Sequence, residues 1–147
     1  MTTIKQVAKY ILHKVGTIST LKLQKLCYYC QAWYLAWENT PLFNEDFEAW
    51  ANGPVCPDLF QCHRGKFLIS ENEIDETITD DTFSEIQKND MDKVLQYYGE
   101  KEPHWLSELT HQERPWKETR AEAGAQPGDY CTKVISKEII QDYYAGL

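Results

Sequence analysis

Thr20-Leu21-Lys22-Leu23-Gln24-Lys25-Leu26-Cys27-Tyr28-Tyr29-Cys30-Gln31-Ala32-Trp33-Tyr34-Leu35-Ala36-Trp37 is the stretch on which the fold turns. At helical spacing, Leu23, Leu26, Cys27, Cys30, Trp33, Tyr34 and Trp37 form one apolar stripe, and Leu21, Tyr28, Ala32 and Leu35 form a second. Only a narrow edge through Lys22, Lys25 and Tyr29 is left to face water. A helix that is apolar almost all round must be enclosed by other elements, so this one is expected at the centre of a bundle.

The flanking sequence supplies those elements. Thr3 and Gln6 have the spacing of a capping box, and Ile4, Val7, Ala8, Ile11, Leu12 and Val15 trace one helix face that Gly16 ends. Thr20 is placed to cap the central helix, and Asn39-Thr40-Pro41 terminates it. Leu42-Phe43 and Phe47 to Ala51 flank Asn44-Glu45-Asp46 as in a short hairpin. Gly53-Pro54 reads as a turn, and Pro57 opens a short third helix containing Leu59 and Phe60.

Residues 64 to 82 are polar and weakly periodic, an irregular connection. Phe83, Ile86, Val94, Leu95 and Tyr98 predict a helix ending at Gly99, and Pro103 opens another through Leu106 and Leu109. Thr110 and Glu113 match a capping box ahead of Pro115-Trp116. Gly124 to Asp129 is a loop, and Ser136 caps a last helix that Gly146 closes. The expected architecture is mainly α: a single compact helical domain over residues 1–147, with a small β-hairpin between the second and third helices.

At 147 residues, 42% of them hydrophobic, the chain can bury a core without staples. The N-terminus lacks the basic flank and apolar block of a secretory signal, and no apolar run reaches membrane-spanning length. A cytoplasmic location is expected. Five cysteines at no framework spacing then read as buried thiols rather than bridges.

The net charge of −8 is unevenly placed. No Asp or Glu precedes Glu38, whereas Lys5, Lys9, Lys14, Lys22 and Lys25 all do. From Glu71 to Glu102 acids dominate, opposed only by Lys88, Lys93 and Lys101. Such a face disfavours nucleic acid and membrane surfaces and favours a basic protein partner, although it also suits plain solvation.

Chemical signatures are weak. Cys27-x-x-Cys30, with Cys56, Cys62 and His63, has the content of a zinc site, but its CxxC falls inside a helical run instead of a tight turn. His111-Gln112-Glu113 matches the H-x-E of zinc deaminases, yet no Pro-Cys-x-x-Cys follows it. Gly53, Gly65 and Gly99 are isolated, so no phosphate loop is formed. Neither catalysis nor a metal or other cofactor is expected.

The two helices joined by Gly16-Thr17-Ile18-Ser19 could be a helix-turn-helix, with Lys22, Gln24 and Lys25 opening the second. A recognition helix needs a broad polar face, which this one lacks. Gln24, Gln31 and Glu48 interrupt apolar runs and are expected to hold the hairpin and the Gly53-Pro54 segment against the central helix.

The segments Leu21 to Leu26 with Tyr28-Tyr29, Gln31 to Leu35, Pro41-Leu42-Phe43, Phe47 to Trp50, Gly53-Pro54-Val55 and Leu59-Phe60 resemble, in this order, the SocA-like Panacea antitoxin domain. This is a prokaryotic and phage-associated family, and Leu109-Thr110-His111-Gln112-Glu113-Arg114-Pro115-Trp116 is similar to its C-terminal signature. Ala51-Asn52 stands where an aromatic often precedes the Gly-Pro, and Phe60 where Tyr is common.

The resemblance implies a mainly helical antitoxin that neutralises a cognate toxin protein by direct binding. A DNA-binding regulator using the basic N-terminal helices and an adaptor delivering a partner to a protease are the alternatives, and self-association stays open. Lys22, Lys25, Tyr29 and Asn52 are the expected partner-binding residues, on the premise that helical phase leaves them exposed.

Overall fold

Thr3 starts the first helix as its sequence predicts: the hydroxyl accepts from the Gln6 N–H at 3.2 Å, and the Gln6 side chain accepts from the Thr3 N–H at 3.0 Å. The computed structural model describes all 147 residues. Helix α1 (Ile4–Val15) ends at Gly16, whose φ of 82° suits a residue without a side chain. A short strand β1 (Ile18–Ser19) leads into α2 (Thr20–Glu38).

The cap of α2 sits one residue earlier than expected. The Ser19 hydroxyl accepts from the Lys22 N–H at 3.1 Å, while the Thr20 hydroxyl donates to the Lys66 carbonyl at 3.1 Å. Ser19 is extended because it pairs with Leu68 of a later strand, and an extended residue directs its oxygen at the helix N-terminus.

As predicted, α2 is central. It packs against α1, α4 (Glu85–Tyr98), α5 (Pro103–Gln112), α7 (Lys137–Ala145) and strand β3 (Gly53–Val55). Leu23, Leu26, Cys27, Tyr28, Tyr29, Cys30, Ala32 and Leu35 are all buried. Each large apolar side chain so enclosed contributes ~1.5–3 kcal/mol before entropy is counted. The stripe loosens at its end: Trp33 is half-buried and donates to the Tyr98 hydroxyl at 3.0 Å, and Trp37 is 42% exposed.

A hairpin does follow α2, in a different register from the one expected. Strand β2 (Phe47–Trp50) pairs antiparallel with β3, Ala49 opposite Pro54 and Trp50 opposite Gly53, so Ala51-Asn52 is the turn. Gly53-Pro54 lies within a strand. Pro54 is tolerated there because β3 is an edge strand, with β5 (Val134–Ile135) on the far side of β2. Leu42-Phe43 is not a strand; Gln31 holds it instead, accepting from the Leu42 N–H at 2.8 Å and donating to the Phe43 carbonyl at 2.6 Å.

Helix α3 (Pro57–His63) follows, and within residues 64–82 only β4 (Leu68–Ile69), paired with β1, and a 3₁₀ turn at Glu71–Glu73 are regular. Helix α6 (Arg114–Glu122) is not started by the predicted Thr110–Glu113 box. Thr110 donates to the Ser107 carbonyl at 2.6 Å, and the Glu113 carboxylate turns into the core. The five cysteines are free thiols. No helix is long and apolar enough to cross a membrane.

Candidate functional site

The hairpin is clamped through its own carbonyl groups. Arg120 donates to the Ala49 carbonyl at 2.9 Å, the Trp116 indole to Trp50 at 2.8 Å, the Ser107 hydroxyl to Asn52, and the Lys25 ammonium to Pro54 at 3.1 Å. Just beyond, Gln24 accepts from the Cys56 N–H at 2.9 Å and donates to the Cys56 carbonyl at 3.2 Å. Side chains from α2, α5 and α6 thus converge on one short loop. A loop whose polar groups are paired and buried cannot shift without breaking several hydrogen bonds together.

The packing under the loop is equally close. Gly53 has a φ of 120°, and a Cβ there would lie 2.5 Å from Lys25 Cε and 3.0 Å from Thr110 Oγ1. Glycine is required at this position on both counts. Burial lowers Lys25 to about 7 from its ordinary 10.5, since its ammonium is fully enclosed with a single carbonyl partner.

One helical turn further along α2, the Tyr29 hydroxyl donates to Glu113 Oε1 at 2.7 Å, and Tyr144 of α7 donates to the same oxygen at 2.6 Å. Burial raises the Glu113 pKa, and the two phenols partly offset this by bonding the carboxylate. The segment between α5 and α6 is thereby tied to both α2 and α7.

Gln24 Nε2 also lies 3.0 Å from His63 Nε2. The amide nitrogen can only donate, so His63 accepts there and carries its proton on Nδ1. Burial pushes the His63 pKa down, which keeps the ring neutral.

Two clefts flank the hairpin turn and share Leu21 and Asn52 as their common ridge. One, of about 410 Å³, is walled by Trp50, Val55, Phe60 and Tyr130 and floored by the Gln24–His63 pair. The other, of about 480 Å³, is lined by Glu102, His104, Ser107, Glu108 and His111. An apolar hollow and a carboxylate-bearing hollow therefore meet at the tip of a fixed loop.

Of the four expected contact residues, Asn52 is exposed and lines both clefts, whereas Lys22 is half-buried and lines neither. Lys25 and Tyr29 are fully buried, which corrects the premise that they face water. The edge of α2 that looked wet is covered by the hairpin and by Glu113, partners distant in sequence. Both residues act from beneath, on the Gly53-Pro54 strand and on the α5–α6 junction. Gln24 and Gln31 hold backbone as predicted, whereas Glu48 only accepts from its neighbour Trp50 at 2.8 Å.

Sequence reasoning missed Tyr130, Glu102 and Glu108 as members of this face. Tyr130 lies in a loop with no periodicity to mark it, Glu102 ends a generally acidic segment, and Glu108 is a lone acid on the polar side of α5.

The alternative chemistries are not assembled. His111 stacks on the Trp116 ring at 4.0 Å while Glu113 points into the core, so the H-x-E pair shares no site. Burial raises the thiols of Cys27 and Cys30 well above the ordinary range and Cys56 to about 12, which disfavours the thiolate that a metal or nucleophilic role requires. No group of three or more His, Cys, Asp or Glu is placed to hold a metal ion. The helix-turn-helix idea fails on packing, because α2 has no free face to lay in a groove.

Antitoxin SocA of Caulobacter vibrioides (strain NA1000 / CB15N) is 40% identical over 62 residues, covering 40% of this chain and 33% of that protein. The match thus spans about a third of the relative's length. No solved structure matches the chain. The profile of the family described as Antitoxin SocA-like, Panacea domain matches residues 23–117, from α2 through the hairpin to the start of α6. The chain belongs to the SocA-like Panacea domain antitoxin family.

Proposed function

We propose that this chain is an antitoxin that neutralises a toxin polypeptide by binding it directly, without catalysis, in the cytoplasm, through the face around the Ala51-Asn52 turn. Family membership supports an antitoxin role in general, and a relative carries the name Antitoxin SocA. The observation that carries the binding mode is the clamped hairpin, in which buried donors hold the carbonyls of Ala49, Trp50, Asn52 and Pro54. A recognition loop fixed in advance loses little conformational entropy when a partner docks, so more of the contact energy appears as affinity.

In this reading Asn52 and Lys22 touch the toxin, and Lys25 and Tyr29 position the surface from below. The test is co-expression with the product of the adjacent open reading frame in a bacterial host. Wild type restores growth and co-purifies with that product at unchanged toxin level. Asn52→Arg combined with Lys22→Glu stays folded and loses both growth rescue and co-purification. Growth rescue that requires a protease and depletes the toxin would replace direct neutralisation with delivery for degradation. Failure of wild type to rescue or bind would remove the antitoxin reading.

A further inference from the structure

The two clefts at the hairpin turn differ in chemistry, and the difference specifies a partner. Resting on the antitoxin reading, we infer that the apolar cleft seats an aromatic or large aliphatic anchor of the toxin polypeptide, and that the adjoining acidic cleft seats a neighbouring Arg or Lys of the same segment.

The apolar cleft offers little to a polar ligand. Its walls are Trp50, Val55, Phe60 and Tyr130, and the Gln24 amide on its floor is already bonded to both backbone groups of Cys56 and to His63. A polar group reaching the floor would give up water without gaining a partner there, since the unpaired polar atoms of Asn52 and Tyr130 stand at the exposed rim, whereas an apolar ring gains burial. Tyr130, 89% exposed beside the cleft, is a side chain free to close over such a ring. Large planar side chains filling small hollows are the usual anchors of protein interfaces.

The second cleft is negative. Glu102 has no ion-pair partner, and Glu108 faces only His104, at 3.9 Å. Burial lowers the His111 pKa, so that ring adds no positive charge to offset the carboxylates. The cleft adjoins the acid-rich run from Glu71 to Glu102 in a chain of net charge −8. A cation placed there pairs with carboxylates that are otherwise solvated, and the same field steers a basic partner toward the face. Because Leu21 and Asn52 line both clefts, one short segment can occupy the two together.

Two probes test the inference. First, isotope-labelled protein is titrated by NMR with the capped tripeptides Ac-Trp-Ala-Arg-NH2 and Ac-Trp-Ala-Glu-NH2. The Arg peptide shifts the amides of Leu21, Asn52, Phe60 and Tyr130 and binds at least about fivefold tighter than the Glu peptide, an advantage that shrinks in 0.5 M salt as charges are screened. Equal affinities, or shifts elsewhere on the protein, overturn the inference whatever the toxin does.

Second, affinity for the product of the adjacent open reading frame is measured for wild type, Tyr130→Ser, the Glu102→Lys/Glu108→Lys pair, and Trp37→Ser, an exposed ring outside both clefts. The first two variants each weaken binding about tenfold or more, and Trp37→Ser leaves it unchanged. If wild type binds and rescues but both cleft variants bind equally well, the antitoxin reading stands and the cleft assignment falls. If wild type binds nothing, the antitoxin reading falls and the peptide titration decides the clefts. A dimer of this chain that Tyr130→Ser dissociates would assign the hollow to a second copy and overturn the proposal.

Discussion

Two short antiparallel pairs pack against the first turns of α2, and their backbones are held in different ways. The β2–β3 hairpin is clamped by buried side chains of α2, α5 and α6 that donate to four of its carbonyls. The β1–β4 pair has two residues in each strand, is anchored in the core by the fully buried Ile69, and has its approach tied to α2 by Thr20, whose N–H donates to the Phe67 carbonyl at 2.9 Å and whose hydroxyl donates to Lys66. Phe67 and Leu68 lie 79% and 55% exposed. Buried donors are expensive to desolvate, so their concentration on one loop marks the loop whose position matters.

The most severe way to break that contrast is Gly53→Ala. The new methyl must displace Lys25 Cε from 2.5 Å, and the backbone would have to hold a φ of 120° with a side chain present. Strain and overpacking together cost ~4 kcal/mol, read as a lower midpoint in urea unfolding. A loss below ~1 kcal/mol would mean that the clamp yields easily and that the two pairs do not differ as described.

Glu113→Ala attacks the support one layer further in. It leaves the Tyr29 hydroxyl buried without its acceptor and the Tyr144 hydroxyl with only the Tyr28 oxygen at 3.4 Å, at ~1–3 kcal/mol for each weakened group, so ~3 kcal/mol in total is expected. Glu113→Gln keeps a carbonyl oxygen for both phenols and should lose ~1 kcal/mol. Equal losses in the two variants would show that the volume of the side chain, not its acceptor, holds α6 and α7 to α2.

These two residues also show how far the sequence could be read. Helix starts marked by local chemistry were legible: Thr3, Pro57, Pro103 and Ser136 each stand where a helix begins, because a cap or an N-terminal proline acts within one turn. The enclosure of α2 was legible from its two apolar stripes. What could not be read was anything set by a partner far along the chain. Lys25 and Tyr29 looked exposed because helical phase says nothing of Pro54 or Glu113, 29 and 84 residues away. Gly53-Pro54 looked like a turn because that pair usually is one, and only pairing with β2 makes it a strand. The Thr110–Glu113 spacing fits a cap, but a buried carboxylate with two phenol donors is held more strongly than one at a solvated helix end. Among the residues that line the two clefts, Asn52 was singled out from the sequence and Tyr130, Glu102 and Glu108 were not.

Lys25 allows a subtler test, because its contribution depends on pH. Burial lowers its pKa to about 7 from 10.5. Between those values the unfolded chain binds a proton that the folded chain lacks, so this residue makes stability rise with pH across that window. The slope is at most ~1.4 kcal/mol per pH unit, and the full penalty is present below about 7. Lys25→Met removes this slope. The stability difference between variant and wild type, measured by urea unfolding from pH 6 to pH 10, should shift progressively in favour of wild type. A difference that stays constant would mean that the ammonium remains charged throughout and that Pro54 is held by a cation.

The gentlest probe falls on the other pair. Phe67→Ser removes a ring that is 79% exposed, while the Phe67 carbonyl that anchors Thr20 belongs to the backbone and survives the change. A mostly solvated side chain away from any buried partner shifts stability by no more than ~0.5 kcal/mol, and thermal unfolding should register almost nothing. A loss above ~1 kcal/mol would show that the ring braces β4 against β1 and hence the start of α2. The second pair would then be structural support comparable to the hairpin, and concentrated buried donors would no longer distinguish the recognition loop from its surroundings.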